Sequence, residues 1–171
     1  MDNFERAFAL VVGIEAGFSN DPNDPGNWTG GKVGVGQLKG TKYGISAAAY
    51  PNIDIENLAL DGAQGIYAGD YWRACSCDQM PWPLCLFVFD MAVNQGPPIA
   101  RVTLQRMLGV DADGDIGPVT LAAANRVGDE QLALFLTARA FRYMQAGTFS
   151  ADGHGWFKRL FLMAFAHNAT T

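Results

Sequence analysis

Pro81-Trp82-Pro83-Leu84-Cys85-Leu86-Phe87-Val88-Phe89-Asp90-Met91-Ala92-Val93-Asn94 is the stretch that decides the fold class of this 171-residue chain. Its Leu84, Leu86, Phe87, Val88, Phe89, Met91 and Val93 leave hardly any polar face, which suits a central helix buried on most sides. Asp90 and Asn94 stand at spacing i, i+4 and share one side of that helix. They either reach an active cleft or satisfy hydrogen bonds inside the core, and at this level both readings stand.

Helical periodicity continues outward from this segment. A helix runs from about Pro98 to Leu108 and stops at Gly109, whose missing Cβ suits a helix terminus. Pro118 opens the next helix, where its missing N–H costs nothing. Two amphipathic helices follow, around Asp129 to Gln145 and Trp156 to His167, with no linker or repeat between them. Upstream, Asp61 can cap a helix through Ile66, Tyr67 and Tyr71. Tyr71 and Trp72 then read as core or cleft wall, or as a carbohydrate platform. The expected fold is one mostly α domain over residues 1–171.

The N-terminal segment carries another apolar stripe. Phe4, Ala7, Phe8, Val11 and Val12 share a helical face, and Glu15 lies 11 residues after Phe4, about 20° beyond three turns at roughly 100° per residue. Burial there favours the protonated carboxyl, as a general acid needs. A solvated glutamate capping a fraying helix end is the plainer reading. Residues 19 to 45 are rich in Gly, Pro, Asn and Asp, with Val33, Val35 and Leu38 the only hints of strand. They are expected to form a long loop with a small hairpin or irregular β element near residues 30–45, and a loop of this length in a compact domain is usually functional.

Composition bounds the function. With 49% hydrophobic and 17% charged residues the chain can bury a substantial core. Its formal charge of −5 excludes affinity for nucleic acid or anionic lipid through a general positive field. Arg101 and Arg106, or Lys158 and Arg159, read as solvated helix faces. The three cysteines, Cys75, Cys77 and Cys85, do not suggest a disulfide framework. Cys75-Ser76-Cys77 lacks zinc-ligand spacing, and His154 and His167 are far along the chain. Asp111-Ala112-Asp113-Gly114-Asp115 falls short of an EF-hand, with Ile116 and Ala122 where glycine and glutamate are required; it reads as an Asp-Gly turn before a helix. No metal or organic cofactor is expected. The start Met1-Asp2-Asn3-Phe4-Glu5-Arg6 has no secretory pattern, and no apolar run reaches spanning length. A soluble chain without a stable membrane anchor is expected, made in the cytoplasm and dependent on another agent for export.

Nucleophile elbows, phosphate-cradling loops and His-Glu-x-x-His helices are absent from the sequence, which leaves carboxylate chemistry. Glycosidic cleavage needs a protonated carboxyl to assist the leaving oxygen. It also needs a second group to activate water or stabilise positive charge. Glu15 with Asp21 or Asp24 fits, because the prolines and glycine of Asn20-Asp21-Pro22-Asn23-Asp24-Pro25-Gly26 can fold the loop back over the helix end.

These residues also carry a resemblance. Glu15-Ala16-Gly17-Phe18, the Asn20 to Gly26 run and Thr41-Lys42-Tyr43-Gly44-Ile45-Ser46 are similar to the signature of glycoside hydrolase family 108, the N-acetylmuramidases found among phage endolysins and bacterial lysis or secretion-associated proteins. The similarity extends through Ile66-Tyr67, Tyr71-Trp72, Phe89-Asp90-Met91-Ala92-Val93-Asn94-Gln95-Gly96, Leu104-Gln105 and Asp113-Gly114-Asp115-Ile116-Gly117-Pro118-Val119-Thr120. The resemblance implies a lysozyme-like helical fold with a small β element and cleavage of the β-1,4 bond between N-acetylmuramic acid and N-acetylglucosamine. It makes Glu15 the catalytic acid, Asp24 the second carboxylate and Thr41 the residue that helps place water. Residues 1–95 would be the catalytic part and 96–171 a helical, peptidoglycan-binding-like part of the same unit. The 114–120 segment would then touch peptidoglycan, although a loop entering a helix requires the same residues.

The sequence departs from the family's pattern in two places. Ala16 and Phe18 stand where Gly and Tyr are common, and Asn27 to Gly40 is an insertion between the aspartate-bearing turn and Thr41. Trp28 within it, and Tyr43 after it, either stack on a sugar or pack the loop. Asp21, Trp28, Tyr43 and Asn94 are the candidate substrate-binding residues. The resulting expectation is a monomeric endolysin that acts on bacterial peptidoglycan. It would be held in the host cytoplasm, released with the help of a holin, and active in the periplasm or cell wall. A lytic transglycosylase and a noncatalytic peptidoglycan-binding or secretion-assisting protein are the rival readings.

Overall fold

The computed structural model describes residues 1–13 and 17–166, and among them the chain forms seven α-helices and one two-stranded antiparallel sheet. It divides into two compact units, Met1–Val11 with Ala68–Thr171, and Val12–Tyr67.

The first unit is helical and is built round α3, Leu84–Gln95, in which every residue from Leu84 to Ala92 is buried. The apolar run of the sequence is therefore the centre of the core. Three helices pack on it: α1 (Asn3–Val11), α4 (Pro97–Leu108) and α6 (Asp129–Met144). Helix α1 turns Ala7, Phe8 and Val11 inward, and Phe4, Trp72 and Phe89 form a ring cluster with centroids 5.5 to 6.0 Å apart. Trp72 is thus a core residue, 4% exposed. Helix α4 closes at Gly109 with φ 69°, and α5 (Pro118–Ala124) opens on its proline, both as their sequences require.

Asp90 is the buried charge of this core. Its carboxylate meets Arg139 of α6 at 2.5 Å and Arg159 of α7 (Phe149–Ala166) at 2.6 Å, with Asp90 and Arg139 fully enclosed. Of the two sequence readings for Asp90, the structure shows the internal one. A lone carboxylate here would be costly, and two guanidinium groups offset that cost while tying α3 to α6 and α7. Arg159 also donates to the Val11 carbonyl at 3.4 Å.

Two helix boundaries differ from the periodicity. Helix α7 begins at Phe149, well before Trp156, because Gly153 is a packing glycine rather than a breaker; a Cβ there would lie 2.5 Å from the Phe149 ring. Helix α1 ends at Val11, and Gly13 has φ 78°, a left-handed conformation that stops an α-helix. Glu15 and His167 lie outside the described residues.

The Asp111 to Asp115 turn is closed by the protein's own donors. Gln105, 1% exposed, donates from Nε2 to Asp113 Oδ1 (2.7 Å) and to the Asp115 carbonyl (2.9 Å), and its Oε1 accepts from Gly114 N (2.8 Å). This buried side chain thus joins the Leu104-Gln105 stretch to Asp113-Gly114-Asp115 in space.

In the second unit, β1 (Thr41–Lys42) and β2 (Ile45–Ser46) form a hairpin with Thr41 opposite Ser46 and Lys42 opposite Ile45. The β element therefore lies just beyond Val33 and Val35, which are exposed. Tyr43 and Gly44 turn the chain with φ 52° and 74°, the left-handed pair of a two-residue hairpin turn. The turn is pinned by α2 (Leu60–Tyr67), whose last residue donates from Tyr67 OH to the Tyr43 carbonyl at 3.0 Å. A Cβ on Gly44 would lie 2.6 Å from that hydroxyl. Helix α2 begins at Leu60, so Asp61 sits in its first turn and bonds Gly62 N instead of capping from outside.

Candidate active site

The 19–45 loop is organised by Asn27, a residue that sequence reasoning treated only as the start of an insertion. Asn27 is fully buried and ends a short 3₁₀ turn, Pro25–Asn27. Its side-chain Nδ2 donates to the Asp21 carbonyl (3.0 Å), and its Oδ1 accepts the Thr41 hydroxyl (2.7 Å). The orientation of this amide is fixed by chemistry, because only the NH₂ end can serve a carbonyl. Its main-chain carbonyl accepts from both Lys39 N (2.9 Å) and Gly40 N (3.1 Å). A single side chain and its own backbone thus join the aspartate-bearing turn to the strand that carries Thr41.

The insertion is a closed excursion. Trp28 bridges Leu38, Thr29 N donates to the Gln37 carbonyl (2.9 Å), and Gly30 N donates to the Val35 carbonyl (3.1 Å). The chain leaves at Asn27 and returns to it at Lys39 and Gly40, so the added residues do not separate the turn from Thr41.

Thr41 is held from both sides. Its backbone pairs with Ser19 through two hydrogen bonds of 2.8 Å, and β2 flanks it on the other edge. Because its only hydroxyl proton goes to Asn27, the oxygen presents lone pairs and can accept a further proton but not donate one.

Asp21 and Asp24 are exposed, and each uses one oxygen to shape the turn. Asp21 Oδ1 accepts from Asn23 N (2.9 Å) and Nδ2 (3.0 Å), and Asp24 Oδ1 accepts from Gly26 N (2.8 Å) as the N-cap of the 3₁₀ turn. The second oxygen of each has no partner among the described residues. Trp28 is half-buried and donates from its indole N–H to the Pro22 carbonyl at 2.9 Å, which holds the turn down. Tyr43 is half-buried at the hairpin tip, with Lys42 Nζ 5.7 Å from its ring centre. On the same unit lies a depression of about 260 Å³ lined by residues that include Phe18, Asn20, Lys39, Asp54 and Glu56.

The structure thus brings Asp21, Asp24, Trp28 and Thr41 to one loop system around Asn27, with Tyr43 on the adjoining hairpin. Asn94 belongs to the helical unit. It sits exposed in the last turn of α3, and its Oδ1 accepts the Tyr143 hydroxyl at 2.9 Å. Asn27 could have been suspected only from its place beside Pro25-Gly26, where an asparagine most often serves a local turn.

A mostly helical fold with a small β hairpin is consistent with a lysozyme-like protein. The chain belongs to the family described as glycosyl hydrolase 108, whose pattern it matches over residues 8–96. That match takes in every candidate site residue. Among solved structures the chain is similar to SagA of Brucella abortus, with 29% identity, a TM-score of 0.77, and coverage of 98% of this chain and 97% of that one. No curated protein matches it.

Proposed function

We propose that this glycoside hydrolase is an N-acetylmuramidase that cuts the β-1,4 bond between N-acetylmuramic acid and N-acetylglucosamine in bacterial peptidoglycan. Glu15 protonates the leaving oxygen. Asp24, with Asp21 the alternative, activates water or steadies the developing cation, and Thr41 orients the water.

The observation that carries this reading is the closure of the loop at Asn27. It ties the Asp21 and Asp24 turn to Thr41, and Ser19, four residues after Glu15 in sequence, pairs with Thr41 on its other side. A water held by the carboxylate and by the Thr41 lone pairs has both protons accepted, which raises its nucleophilicity toward an oxocarbenium-like carbon. The family membership favours a catalytic role over a purely wall-binding one.

In its biological setting we read the chain as a phage endolysin. It is held in the host cytoplasm, admitted to the wall with the help of a holin, works as a monomer and causes host lysis. No helix among the described residues is long and apolar enough to cross a membrane, which fits release by a partner.

The decisive experiment is digestion of purified peptidoglycan by wild type and Glu15→Gln. Wild type is expected to release products with reducing muramic acid ends, and the variant to lose clearance of wall suspensions. Full lysis by the variant would refute the role of Glu15. Anhydro-muropeptides without reducing ends would replace the hydrolase with a transglycosylase.

A further inference from the structure

The helical unit carries a pocket of about 240 Å³ lined by Asn94, Gln95, Arg142, Tyr143, Ala146 and Trp156. Its hydrogen-bond accounting is one-sided. Arg139 Nη2 donates to the Tyr143 hydroxyl at 2.8 Å, and a guanidinium can only donate. Tyr143 must therefore pass its own proton on, and it does so to Asn94 Oδ1 at 2.9 Å. That fixes the Asn94 amide with its oxygen toward the tyrosine and its NH₂ uncommitted.

The same logic fixes Gln95. Arg142 Nε donates to Gln95 Oε1 at 3.2 Å, leaving the Gln95 NH₂ and the two terminal nitrogens of Arg142 without partners among the described residues. The Trp156 indole N–H likewise has none. Trp156 stacks on the buried Tyr143 ring at 5.2 Å and 29°, so its half-buried indole is a rigid wall. The pocket thus offers two amide NH₂ groups, a guanidinium and an indole N–H. It contains no carboxylate, and the oxygen of each amide already takes a proton from the protein.

With one guanidinium, no carboxylate and more uncommitted donors than acceptors, this lining favours a group that accepts and carries negative charge. We infer that the pocket is a subsite for a carboxylate carried by the cell-wall polymer, held by Arg142 with the Asn94 and Gln95 amides. This rests on the muramidase reading for its choice of polymer. Muropeptides supply such a group in two ways. The stem peptide bears free carboxylates while the lactyl group of muramic acid is tied up as an amide. Where the peptide has been removed, the lactyl carboxylate itself is free. A charge-assisted guanidinium contact discriminates against the uncharged amide in either case.

The test is direct binding, followed by the ¹⁵N indole signal of Trp156, assigned by its loss in Trp156→Phe. The probes are muramyl dipeptide, free N-acetylmuramic acid and chitobiose, which has no carboxylate. The two muramic acid probes separate the sources: saturable shifts with the dipeptide alone assign the stem peptide, and shifts with the free sugar alone assign the lactyl group. Arg142→Met, which keeps the length of the stem, is expected to weaken the bound probe about tenfold or more, and Arg142→Lys to weaken it less. Melting curves of both variants check the fold. Equal shifts with chitobiose, no shift with either carboxylate, or wild-type affinity in Arg142→Met would overturn the subsite. Because binding is read without turnover, a protein that binds the carboxylate but leaves walls uncut would overturn the muramidase reading and leave the subsite standing.

Discussion

Asn27→Ala is the substitution that separates the architecture of the site from its chemistry. It removes two side-chain hydrogen bonds, one to the Asp21 carbonyl at 3.0 Å and one from the Thr41 hydroxyl at 2.7 Å, and leaves the main-chain bonds of residue 27 in place. A buried polar group stripped of its partner costs about 1–3 kcal/mol. Here both former partners are open to some solvent, so the pair should sum to about 2 kcal/mol, or roughly 4–8 °C in Tm for a chain of this size. The effect on turnover should be larger. Once its anchor is gone, the Thr41 hydroxyl can sample all its staggered positions and can donate where it previously only accepted. A loss on the order of 10- to 100-fold in kcat, with KM changed little, is expected from misplacing a group proposed to orient water.

The assay is the release of reducing ends from purified walls, run on wild type, Asn27→Ala, Thr41→Ala and the double variant. If Asn27 acts through Thr41, adding Asn27→Ala to Thr41→Ala lowers Tm further but takes no more activity. Asn27→Asp is the informative companion, since it keeps an acceptor for Thr41 while losing the donor to Asp21. Multiplicative losses of activity in the double variant, or an Asn27→Ala protein with wild-type kcat, would refute the argument.

Two further outcomes follow from the helical unit. Arg139→Met should destabilise the protein by about 3 kcal/mol in denaturant unfolding, the low end for breaking a buried pair because Arg159 still faces Asp90; an unchanged midpoint would show that the cluster contributes nothing. The cysteines Cys75, Cys77 and Cys85 are buried and unpaired, and burial pushes the Cys85 thiol up to about 12 and raises Cys77 well above its ordinary value. The Cys75 thiol is instead lowered by its hydrogen bond with Cys77, so its protection rests on enclosure alone, and a thiol reagent should titrate no cysteine in the native protein and all three after unfolding. The raised values also set the sign of the pH dependence. The neutral Cys77 and Cys85 thiols contribute their stability fully below about 9, the ordinary value, and it is lost as pH rises toward 12, while the lowered Cys75 acts with the opposite sign. Melting temperatures that stay flat across that window would contradict it.

What could be read from the sequence was whatever a single segment determines. Helix α3 declared itself because a run of buried side chains needs no knowledge of its partners, and Gly109 and Pro118 marked helix ends through their own backbones. Periodicity places the start of α7 too late, at Trp156, because nothing in the segment itself shows that the Phe149 ring fills the space of the missing Gly153 Cβ. Of the proposed site, the sequence offered only the carboxylates and Thr41 as candidates. Asn27 and Thr41 are fourteen positions apart, and a hydrogen bond across that separation leaves no periodic trace in the chain.

The Asn27 carbonyl also explains how a loop of this length coexists with a site that needs fixed geometry. Closing a longer flexible loop costs only a little more entropy per added residue, about 0.6 kcal/mol for each doubling of length. The real hazard of an insertion is that its ends drift apart. Here one carbonyl accepts the N–H groups of both Lys39 and Gly40, while the Asn27 amide holds Asp21 on one side and Thr41 on the other. The ends of the excursion are thus fixed by the residue that aligns the turn with the strand. Trp28, bridging Leu38 and donating to the Pro22 carbonyl, stiffens that junction from within the excursion. The length between residues 28 and 38 is thereby decoupled from the distance between the aspartates and the threonine. Only the loss of the junction itself should be felt at the site.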